Sequence, residues 1–242
     1  MIKMEMHVHT RYSNDSVMCL WILYIMCRFF KIDCIAITDH NNILGAVAFR
    51  EFCEKRKNRV KVIIGEEIYT KQGEIIGLFL NEEIEAGLEA AEAISRIRKQ
   101  GGIVYVPHPY DLKRSNTVLD EDVICSNKEK IDCIEVHNGR NISKSYDIKQ
   151  LEIAEKYRIR QIIGSDAHTM IEIGRNYVEV GSIPNSASEF AEVLKEAKFK
   201  CSNCIKASHH ITKVVKVLKM IGRGNFCGVY RIITRRVKRY KY

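Results

Sequence analysis

The residues most able to do chemistry come first in the chain, in Met6-His7-Val8-His9-Thr10. A strand sends every second side chain to one face, so His7 and His9 point the same way. Two imidazoles leaving one strand end are ready metal ligands. His-x-His alone is weak evidence, but five later apolar runs each end in similar residues. Asp39-His40 follow CIAIT, Glu66-Glu67 follow VKVIIG, His108 follows IVYVP, His137 follows CIEV, and Asp166 with His168 follow QIIGS. Any one of these could be a helix cap or a solvated loop residue. Their recurrence in register points to a multinuclear centre, and carboxylates mixed with imidazoles suit zinc, manganese or iron.

The elements that must hold these residues alternate regularly. Strand-like runs fall at Cys34–Thr38, Val60–Ile64, Ile75–Leu80, Ile103–Val106, Cys133–Val136, Gln161–Ile163 and Val178–Val180. Helix-like runs occupy Gly45–Lys55, Ile84–Lys99, Asp147–Tyr157 and Ala187–Ala197. Gly101-Gly102 is a plausible stop for the second of these. Such alternation implies an α/β fold with a mostly parallel sheet, open or closed into a barrel. In both cases the functional edge is the carboxyl end of the strands.

Val17–Cys27 is a run of eleven apolar residues, extended by Phe29 and Phe30. Roughly twenty are needed to span a bilayer, so this is no transmembrane helix. Its place after the first strand predicts a helix covered on more than one side, either buried or forming a homo-oligomer or membrane contact through residues 17–30.

The 242 residues are enough for one large domain or two small ones, and 46% hydrophobic with 29% charged residues excludes a disordered chain. The net charge of +9 is unevenly placed. Residues 201–242 hold eleven Lys and Arg and no Asp or Glu, leaving 28 basic against 30 acidic residues before them. ITKVVKVLKMI in this tail has apolar residues at helical spacing with lysines on the other face, and VYRIITRRVKRYKY follows. A basic amphipathic end serves nucleic acid, an acidic membrane surface or plain solvation. Tyr230, Tyr240 and Tyr242 could stack on bases. The nine cysteines fall partly in strand-like runs and no signal peptide precedes His7, which favours a reducing cytoplasm over a disulfide scaffold. Cys201, Cys204, His209, His210 and the later Cys227 allow a loose zinc-knuckle reading.

Taken together, His7-Val8-His9-Thr10, Thr38-Asp39-His40-Asn41, Gly65-Glu66-Glu67-Ile68, Pro107-His108-Pro109 and Gly164-Ser165-Asp166-Ala167-His168 resemble the PHP (polymerase and histidinol phosphatase) family of metal-dependent phosphoesterases, in its short stand-alone form. The resemblance implies a distorted (β/α)7 TIM-like barrel over residues 1–200, a basic extension over 201–242, and two or three divalent ions at the C-terminal mouth. Carried over by motif, His7 and His9 bind one ion with Asp166 and a bridging glutamate. Asp15 joins His40 and His168 at another, and His108 holds the third with the same bridge. The Gly-x-Glu pattern makes Glu67 the bridge and Glu66 the fallback. Family members carry a histidine in the next strand. Here Gly73-Glu74-Ile75 stands in its place, so Glu74 is the ligand or that ion is weakly held, with His137 as a possible substitute. The activity implied is hydrolysis of phosphate esters of nucleotides or short oligonucleotides by metal-activated hydroxide. The alternatives are a small-metabolite phosphatase, such as a histidinol-phosphatase, and a non-catalytic metal-dependent binding module. Arg140 and Arg175, in loops at the proper strand ends, are the candidate phosphate contacts, with Lys113 and Arg114 ranked behind them.

Overall fold

A computed structural model describes residues 1–57, 60–114, 117–226 and 228–230. The strands are β1 (Ile2–Val8), β2 (Cys34–Ile37), β3 (Lys61–Thr70), β4 (Gly73–Leu78), β5 (Ile103–Val106), β6 (Cys133–Asn138), β7 (Arg160–Gly164), β8 (Tyr177–Val180) and β9 (Lys198–Lys200). They form one sheet in the order β7-β6-β5-β4-β3-β2-β1-β8-β9. The helices are α1 (Leu20–Phe30), α2 (Leu44–Lys55), α3 (Ala90–Lys99), α4 (Glu121–Asn127), α5 (Lys144–Tyr157), α6 (Ala187–Val193) and α7 (Lys206–Gly222). Pairing is parallel for β1–β2, β2–β3, β5–β6 and β6–β7, whereas β4 runs antiparallel to both neighbours because only a tight turn separates it from β3. The chain just beyond β7 returns to β1: Ser165 N–H donates to Met6 O (2.8 Å) and His9 N–H to Ala167 O (2.9 Å). Those bonds close the sheet into a nearly complete barrel, the TIM-like α/β fold expected from the alternation, with β3–β4 as its distortion.

Two apolar clusters follow from this closure. One lies between sheet and helices, where Val8, Ile35 and Ile37 meet Leu23, Cys27, Phe49, Ile94 and Ala154. The other fills the barrel with Met4, Met6, Cys34, Ala36, Ile76 and Tyr105, together with Phe190 of α6 and the adjoining Leu194. Val8 has therefore left the side occupied by Met4 and Met6. The pairing of β1 with β2 shifts between Glu5 and Val8, and His7 has φ 64°, so a bulge at His7 reverses the alternation. His7 and His9 both reach the metal-site side, but through this irregularity and not through plain alternation.

Of the expectations for α1, full burial within the chain is not met. The helix buries Leu23 and Cys27 but leaves Trp21 52% and Phe29 74% exposed, because the barrel and α2 meet one face only. Among the described residues no helix is long and apolar enough to cross a membrane. The first basic stretch of the tail forms α7. Tyr240, Tyr242, Cys227 and most of the second basic run lie outside the described residues.

Gly164 ends β7 beneath the site, and a Cβ there would fall 1.8 Å from Glu135 Oε1 and 2.8 Å from the Tyr105 hydroxyl. Gly181, just beyond β8, faces open space. Gly164→Ala should cost about 1–3 kcal/mol in thermal denaturation, whereas Gly181→Ala should stay within about 0.5 kcal/mol. Equal effects would contradict the tight packing under the site.

Candidate metal centre

Five loops and strand ends at the carboxyl edge converge on Glu67 in β3. Its Oε1 lies 3.3 Å from His7 Nε2 and 3.1 Å from His108 Nε2, and its Oε2 lies 3.2 Å from His9 Nε2 and 3.1 Å from His40 Nδ1. Glu74 in β4 approaches His108 Nε2 (3.3 Å) and His40 Nδ1 (3.7 Å). Asp166 Oδ1 stands 3.5 Å from His9 Nε2 and 3.7 Å from His7 Nε2. Asp15 reaches across the rim to His168 Nε2 (3.3 Å) and His40 Nε2 (3.6 Å). Glu66 points elsewhere, its Oε2 accepting from Ile84 N–H at 2.9 Å. His7, His108 and Asp166 all sit at positive φ (64°, 29° and 51°), an uncommon conformation for such residues that is held by the surrounding hydrogen bonds.

A second set of side chains aims these donors. Glu135, buried in β6, accepts from His7 Nδ1 (2.7 Å), His108 N–H (2.7 Å), Asn138 Nδ2 (2.9 Å) and the Tyr105 hydroxyl. His7 thus carries its proton on Nδ1 and presents Nε2 to the cluster. Asp39 accepts from Thr10 N–H (2.7 Å), the Thr10 hydroxyl (2.6 Å) and the Ser13 hydroxyl (2.5 Å). With its hydrogen given to Asp39, Ser13 Oγ accepts from His9 Nδ1 (3.1 Å) and His40 N–H (3.1 Å). His168 Nδ1 donates to Asp166 O (2.8 Å). Such outer contacts select the tautomer that leaves a lone pair for a metal. Gly45 makes room for this packing, since a Cβ there would overlap Asp39 and Thr10.

Buried groups without partners test whether ions fit. His7 Nε2, His9 Nε2, His40 Nδ1 and Asp15 Oδ1 have no hydrogen-bond partner, although orphaned buried polar atoms are costly. Their 3.1–3.7 Å separations are poor hydrogen bonds but resemble the edges of coordination polyhedra, because donors about 2.1 Å from one ion sit about 3.0–3.5 Å apart. Four overlapping donor groups result: His9/His40/His168, His7/His9/Asp166, His7/Glu67/His108 and His40/Glu67/Glu74. The donor set fits divalent ions.

Protons hold these charges together when no ion is bound. Burial opposes ionisation of Glu67, but His7 and His40 outweigh it and keep the carboxyl well below its ordinary range. Burial likewise disfavours a charged His40, yet Glu67 and Asp15 carry its pKa up to about 10. His108 is held at about 9 against burial and the charge of Arg114, through Glu67 and Glu74. His7 stays well above its usual value against burial, through Glu67, Glu135 and Asp166. Burial, with His168 and His40 adjacent, pushes His9 down to about 3, so its Nε2 is free at neutral pH.

The cations are arranged differently from expectation. Arg140 is buried, with Nη2 donating to the Thr212 hydroxyl (2.8 Å) and Nε 3.4 Å from Glu172. Helix α7 covers it, so it is not a free phosphate contact. Arg175 and Lys113 are exposed. Arg114, ranked behind them, reaches the centre: its Nη2 donates to Asp166 Oδ2 at 2.6 Å and its Nε lies 3.3 Å from Asp111. His137 does not substitute for a ligand, because its two nitrogens face Asp147 (3.0 Å) and Asn176 (3.1 Å). Cys204 Sγ lies 3.1 Å from His209 Nε2, but no described group of three donors includes a cysteine. Glu135 escaped the sequence reading; its signal was a carboxylate inside the apolar run CIEV, where only a partnered charge is tolerated.

Ion uptake must displace protons from His7, His40 and His108, so affinity should rise with pH through the neutral range. Calorimetric titration with manganese(II) in buffers of different ionisation enthalpy should report release of one or more protons at neutral pH. Buffer-independent heats would contradict the assignment.

The PHP domain profile matches residues 5–227. The uncharacterized protein MJ0417 of Methanocaldococcus jannaschii is 35% identical over 219 residues, covering 88% of this chain and 86% of that protein. MJ1587 of the same organism is 41% identical over 119 residues, covering 45% and 68%. A two-domain protein of Bacteroides vulgatus, described as containing a predicted PHP-like metal-dependent phosphoesterase, superposes with TM-score 0.66 at 19% identity over 83% of this chain; the chain spans 64% of that protein's length. An amidohydrolase of Chromobacterium violaceum, solved with bound sulfate and no metal, gives TM-score 0.58 at 15% identity over 79% of this chain and 96% of its own. Profile, relative and barrel agree with the cluster around Glu67: the chain belongs to the PHP domain family.

Proposed function

We propose that this protein hydrolyses phosphate esters of nucleotides or short oligonucleotides, using two or three divalent ions (zinc, manganese or iron) held by His7, His9, Asp15, His40, Glu67, Glu74, His108, Asp166 and His168. The convergence of unpartnered imidazole nitrogens and carboxylate oxygens on Glu67 carries this reading. When bound, such ions supply an activated water and a positive clamp on phosphoryl oxygens. The chain's own part is to hold that geometry. Glu135 and Ser13 orient the imidazoles, and Asp166 shares its carboxylate between the imidazoles and Arg114. The Arg114 guanidinium stands at the edge of the cluster with the planar fork that pairs with phosphate. No cysteine is part of a donor group among the described residues, and the Ser13 hydroxyl is committed to Asp39, His9 and the His40 N–H, which supports direct attack by water.

The preference for nucleotides rests on charge. The stretch after residue 200 holds eleven Lys and Arg and no acidic residue, and α7 lays part of it beside the rim that carries Asp15. A positive surface at the mouth of a hydrolytic site concentrates polyanions.

Phosphate release from nucleotides, short RNA and DNA, and histidinol phosphate, with manganese or zinc supplied, tests the proposal. Nucleotides or oligonucleotides should turn over, Asp166→Ala should be silent, and Arg114→Met should lower kcat/KM about ten- to hundredfold, as expected for a charge-assisted contact. Oligonucleotide turnover should also weaken steeply with salt. Preference for histidinol phosphate would reassign the protein to small metabolites, and silence with ions bound would leave a binding module.

A further inference from the structure

Helix α7 turns a polar face to the barrel and an apolar one outward. Ser208 and Thr212 are buried and Lys219 lies partly buried on the same side, while Ile211, Val214, Leu218 and Ile221 are exposed. Lys219 Nζ donates to three backbone carbonyls of one loop: Arg11 O at 2.9 Å, Ser13 O at 2.7 Å and Ser16 O at 2.8 Å. An ammonium has three hydrogens, and all three are used. The loop so held carries Asp15, whose carboxylate faces His40 and His168. Two turns earlier, Thr212 binds Arg140, whose guanidinium lies beside Glu172. Glu172 Oε2 in turn accepts from the backbone N–H of His168 (3.0 Å) and Thr169 (2.9 Å). One helix face therefore reaches both loops that bring Asp15 and His168 together.

We infer that Lys219 is a positioning residue for the ion position formed by Asp15, His40 and His168, and that α7 is a working part of the metal centre. The inference rests on the metal reading given above. The loop over residues 11–16 has no regular secondary structure to fix it, so Asp15 depends on contacts made by others. Lys219 supplies three of them, each to a backbone carbonyl of that loop. His40 and His168 also have anchors outside that loop, His40 in its pairing with Glu67 and His168 through Glu172 and its own Nδ1. Loss of Lys219 should thus weaken one ion position and spare the others.

Manganese(II) titration of the full chain, with melting of the metal-free protein measured alongside, tests this. Lys219→Met keeps the stem and removes the donors. It should weaken one class of site about ten- to hundredfold, the range for outer-shell residues of metal ligands, and change the rest less than about twofold. In an Asp15→Asn background the same change should add little, since both act at one position. Lys219→Arg should recover part of the affinity, and Lys206→Met, an exposed charge on the same helix, should leave it unaltered. Equal falls in the melting temperature of metal-free and metal-loaded protein, with every affinity unchanged, would make Lys219 a plain structural clamp and overturn the inference. A full additional loss on top of Asp15→Asn would also overturn it. A wild-type chain that binds no manganese would overturn the metal reading itself, and this inference with it.

Discussion

One buried carboxylate sets the terms for the rest of the molecule. Glu67 is surrounded by His7, His9, His40 and His108, each with a nitrogen within about 3.3 Å, in a place that water barely reaches. Burying these groups together is expensive unless their charges are matched. Protons on the imidazoles match them in the metal-free chain, and divalent ions would match them with better geometry. The barrel makes the gathering possible, because strand ends from opposite sides of a closed sheet face one point. The positive φ at His7, His108 and Asp166 places local strain at that point, where packing below and around it is firm.

Support reaches the centre from three directions. From beneath, Glu135 joins His7, His108 and Tyr105 across the barrel, and Gly164 leaves the room it needs. From the side, Asp39 fixes Thr10 and Ser13 and so the tautomer of His9. From above, α7 holds the loop of Asp15 through Lys219 and the loop of His168 through Thr212, Arg140 and Glu172. The first two supports belong to the sheet and its adjoining loops. The third comes from α7, well beyond the last strand end of the site, so that helix and the metal site are mechanically joined.

Much of this was legible in the sequence, for definite reasons. Strand ends were visible because apolar runs of β-like length each stop at a carboxylate or an imidazole, and the barrel accounts for that recurrence. Alternation within β3 separates Glu66 from Glu67 by face. The bulge at His7 was not legible, since nothing in Met6-His7-Val8 marks an irregular pairing that depends on β2 and on the return from β7. Glu135 was hidden inside a run read only as a strand. Arg140 was misjudged because loop position says little about reach. Arg140 is captured by a helix seventy residues away, whereas Arg114, in an unremarkable loop, turns back onto Asp166. For α1 the limit is related: an apolar run shows what a helix could bury, but only the packing shows that the barrel and α2 meet one face of it.

The most direct measurement is anomalous diffraction from crystals loaded with manganese or zinc. The account predicts two or three peaks around Glu67, about 3.5–4 Å apart where ions share a bridging oxygen, with one of them ligated by Asp15, His40 and His168. An absence of peaks at Glu67, or ions bound only at exposed carboxylates, would contradict it.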